Sequence, residues 1–222
     1  MTLQANGIEK KYLRKTGSAN WFYAVEPLDF TLESGKLTML DGRSGSGKTT
    51  LLQMLSGLLS PTAGQVLADG KDLYAMEDKA LSRFRNAHLA VIPQGQSGIG
   101  SLTVTENILL PATLYGTRAD PAEAEALMER LSISHLRDAY PAELSGGEMR
   151  RMAIIRAMLQ HAEVLFADEP TGDLDDENSR VVLELLREQA RAGTAVLLVT
   201  HETLAADYAD LMLHMNAGKL SR

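Results

Sequence analysis

The stretch Gly42-Arg43-Ser44-Gly45-Ser46-Gly47-Lys48-Thr49 satisfies the pattern G-x-x-x-x-G-K-[ST] at every fixed position. An apolar run, Leu37 to Leu40, leads into it as a strand would. Behind it, Thr50 to Leu59 places Leu51, Leu52, Leu55, Leu58 and Leu59 at helical spacing. Strand, glycine-rich turn and helix form the context in which such a loop holds phosphate. The glycines let the backbone approach phosphate oxygens, and successive N–H groups make one anion-binding concavity. The helix N-terminus adds its partial positive charge. Lys48 is then placed to reach the β- and γ-phosphates, and the Thr49 hydroxyl to ligate Mg²⁺. The stretch implies a nucleoside triphosphate site.

Composition bounds the rest. The chain has 222 residues, 45% hydrophobic and 23% charged, which suits a soluble globular protein of one large domain with room for two lobes. A net charge of −7 argues against a nucleic-acid surface, so no nucleic acid partner is expected. Basic residues gather at Lys10, Lys11, Arg14 and Lys15, and again at Arg150, Arg151 and Arg156; both groups read as solvated faces. The absence of cysteine removes disulfide, thiolate and zinc-thiolate chemistry and fits a reducing compartment. Met1 to Lys10 lacks an apolar signal core, and no run approaches the roughly eighteen apolar residues that cross a bilayer. Any membrane role is therefore expected to come through a partner.

Along the chain, residues 1–35 read as short strands and turns, with Tyr23 to Leu32 strand-like. Tyr12, Trp21, Phe22 and Tyr23 lie close together; each is a candidate to stack on a purine and equally a plain strand residue. Gln65 to Ala68 and His88 to Pro93 read as strands around a polar helix at 75–86. Gly95 to Gly100, with three glycines, reads as a flexible joint. From Leu102 to Gln160 the pattern is mostly helical, with Asp120-Pro121 as cap and first residue of one helix. Helices inserted between strands predict a second lobe at about 95–160, the main lobe comprising 1–94 and 161–222.

Leu144-Ser145-Gly146-Gly147-Glu148 precedes a helix, Met149 to Leu159. Ser145 and Glu148 match a capping box, yet two consecutive glycines exceed what a cap requires. Exposed N–H groups there point to a second anion-binding helix start. Val164 to Glu169 is an apolar strand ending in two acids. Beside a phosphate loop, Asp168 reads as the Mg²⁺-side carboxylate and Glu169 as the base or orienter of the attacking water. Two acids ending a strand would otherwise be a helix-cap signal. Ala195 to Val199 is a buried-strand candidate ending at Thr200-His201; a lone histidine is usually structural or simply exposed, but at a strand end it could reach a γ-phosphate. Leu211 to Met215 is a last strand before the turn Asn216-Ala217-Gly218.

The phosphate loop, Gln94, Leu144–Glu148, Val164–Glu169 and His201 stand in an order and spacing that resemble the ATP-binding cassette family across nearly the whole chain. The resemblance implies an α/β fold: a P-loop NTPase core with a mainly parallel sheet, an antiparallel β N-terminal region and an inserted helical subdomain. It implies an ATPase using ATP and Mg²⁺. Gly42 to Thr50, including Ser44, Gly45, Ser46, Gly47, Lys48, Thr49 and Thr50, would be the Walker A loop. Gln94 would be the Q-loop glutamine touching Mg²⁺ or the attacking water; Ser145, Gly146 and Gly147 would form the signature motif. Asp168 would belong to Walker B, Glu169 would be the catalytic glutamate, Asp175 would close the D-loop, and His201 would be the switch histidine. Among the aromatics the resemblance favours Tyr12 for adenine stacking.

In this family two cassettes sandwich two ATP head to tail, each signature motif meeting the nucleotide of the opposite subunit. Ser44–Lys48, Leu102-Thr103-Val104-Thr105-Glu106-Asn107 and Asp168–Gly172 resemble the branch of lipoprotein-release, macrolide-export (MacB-like), haem-export and cell-division (FtsE-like) cassettes. The implied protein sits at the cytoplasmic face of the membrane, peripheral through a separate permease. The implied cargo of such exporters is lipoprotein, peptide, drug or haem. A cargo-free mechanical ATPase of the cell-division type has the same nucleotide chemistry. Asp41, an acid where the family usually has an apolar residue, has no explanation in the sequence.

Overall fold

A computed structural model describes residues 1–14, 20–95, 97–116 and 119–222, with the side chains of Arg14 and Asn20 excepted. Lys15 of the first basic group and Gln96 of the glycine-rich stretch lie outside the described residues.

The chain opens with two long strands, β1 (Leu3–Arg14) and β2 (Asn20–Leu32), and not with the short strands and turns expected. They pair antiparallel with register shifts at Ala5/Ile8, Ile8/Lys10 and Lys10/Lys11. Those irregularities break the alternation that would have marked one long strand in the sequence. β3 (Leu37–Asp41) runs into the phosphate loop and α1 (Lys48–Leu55), which stops before Gly57, whose φ of 73° turns the chain away. β4 (Ala63–Ala68) and β5 (Lys71–Asp72) complete a four-stranded antiparallel sheet in the order β2-β1-β4-β5. α2 (Asp78–His88) leads directly into β6 (Leu89–Ile92).

Next come, with no strand between them among the described residues, α3 (Val104–Tyr115), α4 (Pro121–Arg130) and α5 (Gly146–Met158). Each begins on a side-chain cap. Thr103 and Ser145 form reciprocal boxes with Glu106 and Glu148, and Asp120 accepts from Ala122 N–H before Pro121. β7 (Val164–Asp168), α6 (Asp176–Arg191), β8 (Ala195–Val199), β9 (Leu211–Asn216) and β10 (Lys219–Ser221) close the chain.

The second sheet has the order β10-β9-β3-β8-β7-β6, parallel except for the β10–β9 edge pair. β7 and β8 are buried at every residue, because both faces of the sheet are covered. Alternate residues divide between two cores. Leu37, Met39, Ile92, Leu165, Ala167, Val196 and Leu198 pack towards α3, α4, α5 and α6. Leu40, Leu89, Val164, Phe166, Leu197 and Val199 pack towards α1 and the antiparallel sheet.

The register does the positioning. Leu40 and Asp168 both pair with Val199, so the ends of β3, β7 and β8 lie level at one edge of the sheet. Phosphate loop, paired acids and Thr200-His201 therefore emerge side by side. Ligands in open parallel sheets bind at this carboxyl edge.

Candidate nucleotide-binding site

The phosphate loop wraps from Asp41 into α1 through Gly42 and Gly47, where no Cβ fits. A Cβ on Gly42 (φ 150°) would lie 2.2 Å from the Met215 carbonyl oxygen, and one on Gly47 (φ 108°) 2.2 Å from that of Ala24. The loop is thus pressed against β9 on one side and β2 on the other. Gly47 caps α1 with no side chain, leaving the first-turn N–H groups of the helix for a ligand. Lys48 is buried, and its ammonium donates to the carbonyl oxygens of Gly42 at 2.5 Å and Arg43 at 3.2 Å. The Asp41 carboxylate accepts the Gly42 N–H at 2.6 Å, and its other oxygen lies 3.5 Å from Nδ1 of His214, its partner across β3 and β9. An acid at this position braces the first residue of the loop.

At the end of β7, Asp168 is buried and its Oδ1 has no hydrogen-bond partner. Burial raises its carboxyl above the ordinary value, while a hydrogen bond with the Thr49 side chain opposes the shift. Glu169 follows in the left-handed region, φ 49°, with its N–H bonded to the Val199 carbonyl at 2.8 Å. Non-glycine residues hold that conformation at a cost of about 1–3 kcal/mol, and such residues concentrate at functional sites. Nδ1 of His201 lies 3.1 and 3.0 Å from the two Glu169 carboxylate oxygens. Thr171 is buried and donates to Glu202 at 2.8 Å, tying the turn after Glu169 to the residue after His201.

The phosphate loop, Glu169 and His201 line a cleft of about 1050 Å³, with Asp168 outside its lining. Its lining brings together Gly42 to Thr50, Gln94, Glu169 and His201. Ser145, Gly146, Gly147 and Asp175 do not line it. Ser145 caps α5, its hydroxyl accepting from Glu148 N–H while Glu148 accepts from Ser145 N–H at 2.7 Å. Asp175 caps α6 by accepting from Asn178 N–H at 2.8 Å. Of the four aromatics, Phe22 and Tyr23 line the cleft. Tyr12 is the cross-strand partner of Phe22, with ring centroids 6.0 Å apart, and so shares its face of the hairpin.

The second basic group is not a solvated face. Arg150 is buried and lines the cleft, Arg151 donates to the Gly147 and Leu131 carbonyls, and Arg156 donates to Ser97 O and Oγ at 2.7 and 2.6 Å. α5 is enclosed almost all round, so its guanidinium groups take backbone carbonyls as partners in place of water. Ala24, Ala217 and Gly218 also line the cleft, although no pattern marks them. Backbone bonds bring them there: Gly218 N–H to Ser46 O at 2.9 Å, and Glu26 N–H to Gly218 O at 2.8 Å.

Mg²⁺ fits the residues present. An orphaned buried carboxylate oxygen, a hydroxyl bonded to that carboxylate and a glutamine at the cleft are the oxygen donors that ion takes in small number. Among the described residues no group of three acidic, histidine or cysteine side chains forms a self-sufficient metal cage.

Loop, sheet edge and paired acids define a P-loop nucleoside triphosphatase. The chain belongs to the ABC transporter family, whose model matches residues 25–172. It is 38% identical over 221 residues to the lipoprotein-releasing system ATP-binding protein LolD of Shewanella sp. (strain MR-4), covering 98% of this chain and 94% of that protein. It is 36% identical over 220 residues to the macrolide export ATP-binding/permease protein MacB 2 of Aeromonas hydrophila, covering 98% of this chain but 34% of that longer protein. A dimeric structure of the bacterial ABC transporter cassette MJ0796 superposes with a TM-score of 0.91 at 27% identity, covering 99% of this chain and 97% of that one. A dimeric post-hydrolysis state of the same cassette, bound to ADP and Pi, superposes equally well at 26% identity. The chain is an ATP-binding cassette ATPase.

Proposed function

We propose that this chain is the ATP-hydrolysing subunit of a MacB-like exporter, dimerising head to tail around two ATP to drive a separate membrane permease. The observation that carries the reading is the division of the anion sites. The phosphate loop, Glu169 and His201 share one cleft, whereas the Ser145–Gly147 helix start lies outside it. In a sandwich of two copies that second helix start gains a ligand, the nucleotide held by the partner. Among the described residues no helix is long and apolar enough to cross a membrane. Among lipoprotein, peptide, drug and haem cargoes, the likeness to LolD and MacB 2 favours lipoprotein or a macrolide drug.

In the proposed reaction Lys48 gives up its two carbonyl partners for β- and γ-phosphate oxygens, neutralising charge as it spreads over the transferring group. Glu169 accepts a proton from, or orients, the attacking water, and His201 fixes the Glu169 carboxylate on the side of the γ-phosphate. Gln94 lies at the same cleft and senses the γ-phosphate. Thr49, Asp168 and Gln94 would hold Mg²⁺, which supplies charge neutralisation at the phosphates. Tyr12, backed by Phe22, offers adenine an aromatic face.

The test is Glu169→Gln, purified and incubated with ATP and Mg²⁺. The variant should bind ATP, lose turnover and run as a dimer on gel filtration, while the wild type stays monomeric after hydrolysis. Ordinary hydrolysis by the variant would sink the assignment of Glu169, and a monomer with ATP bound would sink the sandwich. Purification of the wild-type chain with its membrane partner then tests the exporter reading. A permease with a large extracytoplasmic domain supports it, and a division-complex partner replaces it with the cargo-free reading.

A further inference from the structure

Arg150 is a charged group on α5 with no part in the proposed chemistry, yet it occupies the wall of the cleft and is only 4% exposed. Its guanidinium spans two loops. Nη1 donates to the Pro93 carbonyl at 2.7 Å, and Nη2 donates to Asp173 Oδ2 at 3.2 Å. Pro93 is the residue before Gln94, and Asp173 lies four residues beyond Glu169 in the turn that Glu169 begins.

We propose that Arg150 is a positioning residue that fixes Gln94 and Glu169 relative to one another by clamping Pro93 and Asp173 to the helix that starts at Ser145. The proposal rests on the roles assigned above to Gln94 and Glu169.

The physical reason is desolvation. A buried guanidinium is costly unless its donors are met, and removing one partner leaves charge without compensation. Here Nε already has no partner, so Pro93 O and Asp173 carry the whole load. The arrangement is stable only with both loops closed on the helix. The planar fork suits this geometry, since its two terminal nitrogens reach in different directions from one rigid group. An ammonium is a point charge and can hold only one of the two partners well.

Further contacts make the loop before α3 move with the same helix. Arg156 holds Ser97 by two hydrogen bonds, and a Cβ at Gly98 would lie 2.8 Å from Met149 Sδ and 3.0 Å from Met152 Cε. Residues on both sides of Gln94 are therefore anchored to α5, and Arg150 extends the anchorage to the turn after Glu169. A displacement at the Ser145 end of α5 is transmitted to both water-positioning groups together. The device would link what happens at the outer anion site to chemistry in the cleft.

Steady-state ATPase kinetics test this on the full chain with Arg150→Met, Arg150→Lys, Asp173→Asn and the double variant Arg150→Met/Asp173→Asn, each with a melting curve. For Arg150→Met, kcat should fall by about tenfold or more with KM for ATP within about threefold of wild type. Arg150→Lys should recover part of that loss, and Asp173→Asn should lower kcat in the same direction. The double variant should be no slower than Arg150→Met, because both substitutions break one linkage. Unchanged kcat, a loss confined to KM, or losses that multiply in the double variant would each overturn the proposal.

If Arg150→Met does not fold, Asp173→Asn decides alone. Asp173 has a side chain 55% exposed, and wild-type kcat in that variant overturns the clamp. Glu169→Gln is run in parallel. If it keeps turnover, the underlying reading fails; if it loses turnover while the Arg150 variants keep theirs, only the clamp fails.

Discussion

The imidazole of His201 hydrogen-bonds the carboxylate of Glu169 on one oxygen, with Nδ1 3.1 Å from Oε1 and 3.0 Å from Oε2. The two residues end neighbouring parallel strands, Asp168 pairing with Val199 one and two residues earlier in their chains. The histidine side chain is 71% exposed and the glutamate 13%, so the pair faces the cleft with the acid beneath and the imidazole at the opening. Removing the imidazole leaves Glu169 in a strained backbone conformation without its orienting partner. His201→Ala should therefore lower kcat by about 10²–10³ with little change in KM, in the range that loss of one preorganised polar group costs. A steady-state ATPase titration separates the two parameters, and a rise in KM alone would contradict the role.

Lys48 is the cation the loop already holds through two carbonyl oxygens. Methionine keeps most of its apolar stem but loses the charge-assisted contacts to phosphate. Lys48→Met should weaken ATP binding by roughly a hundredfold, equivalent to about 2.7 kcal/mol. Equilibrium titration with a fluorescent ATP analogue provides the reading, and wild-type affinity would remove Lys48 from the site.

Two glycines of the same loop should differ in cost. A Cβ on Gly42 collides with the Met215 carbonyl, so alanine there must part β3 from β9; Gly45, φ 76°, has open space around its Cβ position. Gly42→Ala should destabilise the fold by about 3 kcal/mol through collision and backbone strain together. Gly45→Ala should cost about 1 kcal/mol, from the left-handed backbone alone. Chemical denaturation of both variants checks the order, which a generic flexibility requirement would not produce.

Tyr12 and Phe22 share one face of the β1–β2 hairpin, while Tyr23 pairs with Lys11, whose ammonium sits 4.6 Å from the Tyr23 ring centroid. Tyr12→Ala should raise KM for ATP by about tenfold, the loss of one stacking contact. Tyr23→Ala should have the smaller effect. Reversal of that order in ATPase titrations would move the adenine contact to Tyr23.

Asp210 holds the start of β3, accepting the Leu37 N–H at 2.8 Å and pairing with Arg187. The hydrogen bond from Arg187 is the main cause that keeps its carboxyl below the ordinary value. A carboxyl depressed in the folded state contributes stability above its unfolded pKa, near 4, and loses it as pH falls through the lower folded value. Stability should therefore decline below about pH 4, and Asp210→Asn should cost about 1 kcal/mol at neutral pH while flattening that decline. Thermal melts of wild type and variant across that interval make the comparison.

Much of this protein was legible before its structure. The phosphate loop, the caps at Asp120 and Ser145, and the buried strands ending at Asp168 and Val199 depend on local chemistry. Glycine where φ must be positive, an oxygen side chain at a helix start and an unbroken apolar run in a strand covered on both faces are all written within a few residues. Motif order along the chain then gave the family. Other features depend on residues far apart in sequence. The register bulges hide β1 as one strand, and Ala24, Ala217 and Gly218 join the cleft through backbone hydrogen bonds that no side chain advertises.

Asp41 and Arg150 show the division most clearly. In the sequence Asp41 is an unexplained acid and Arg150 one of a basic group. The Gly42 N–H lies next to Asp41 in the chain, but only the pairing of β3 with β9 sets His214 beside it. Only the enclosure of α5 turns Arg150 from a solvated charge into a buried one shared by Pro93 and Asp173. Sequence determines which groups are present and which local conformations they prefer. The energy of a charge depends on what excludes water from it, and that is decided by tertiary packing.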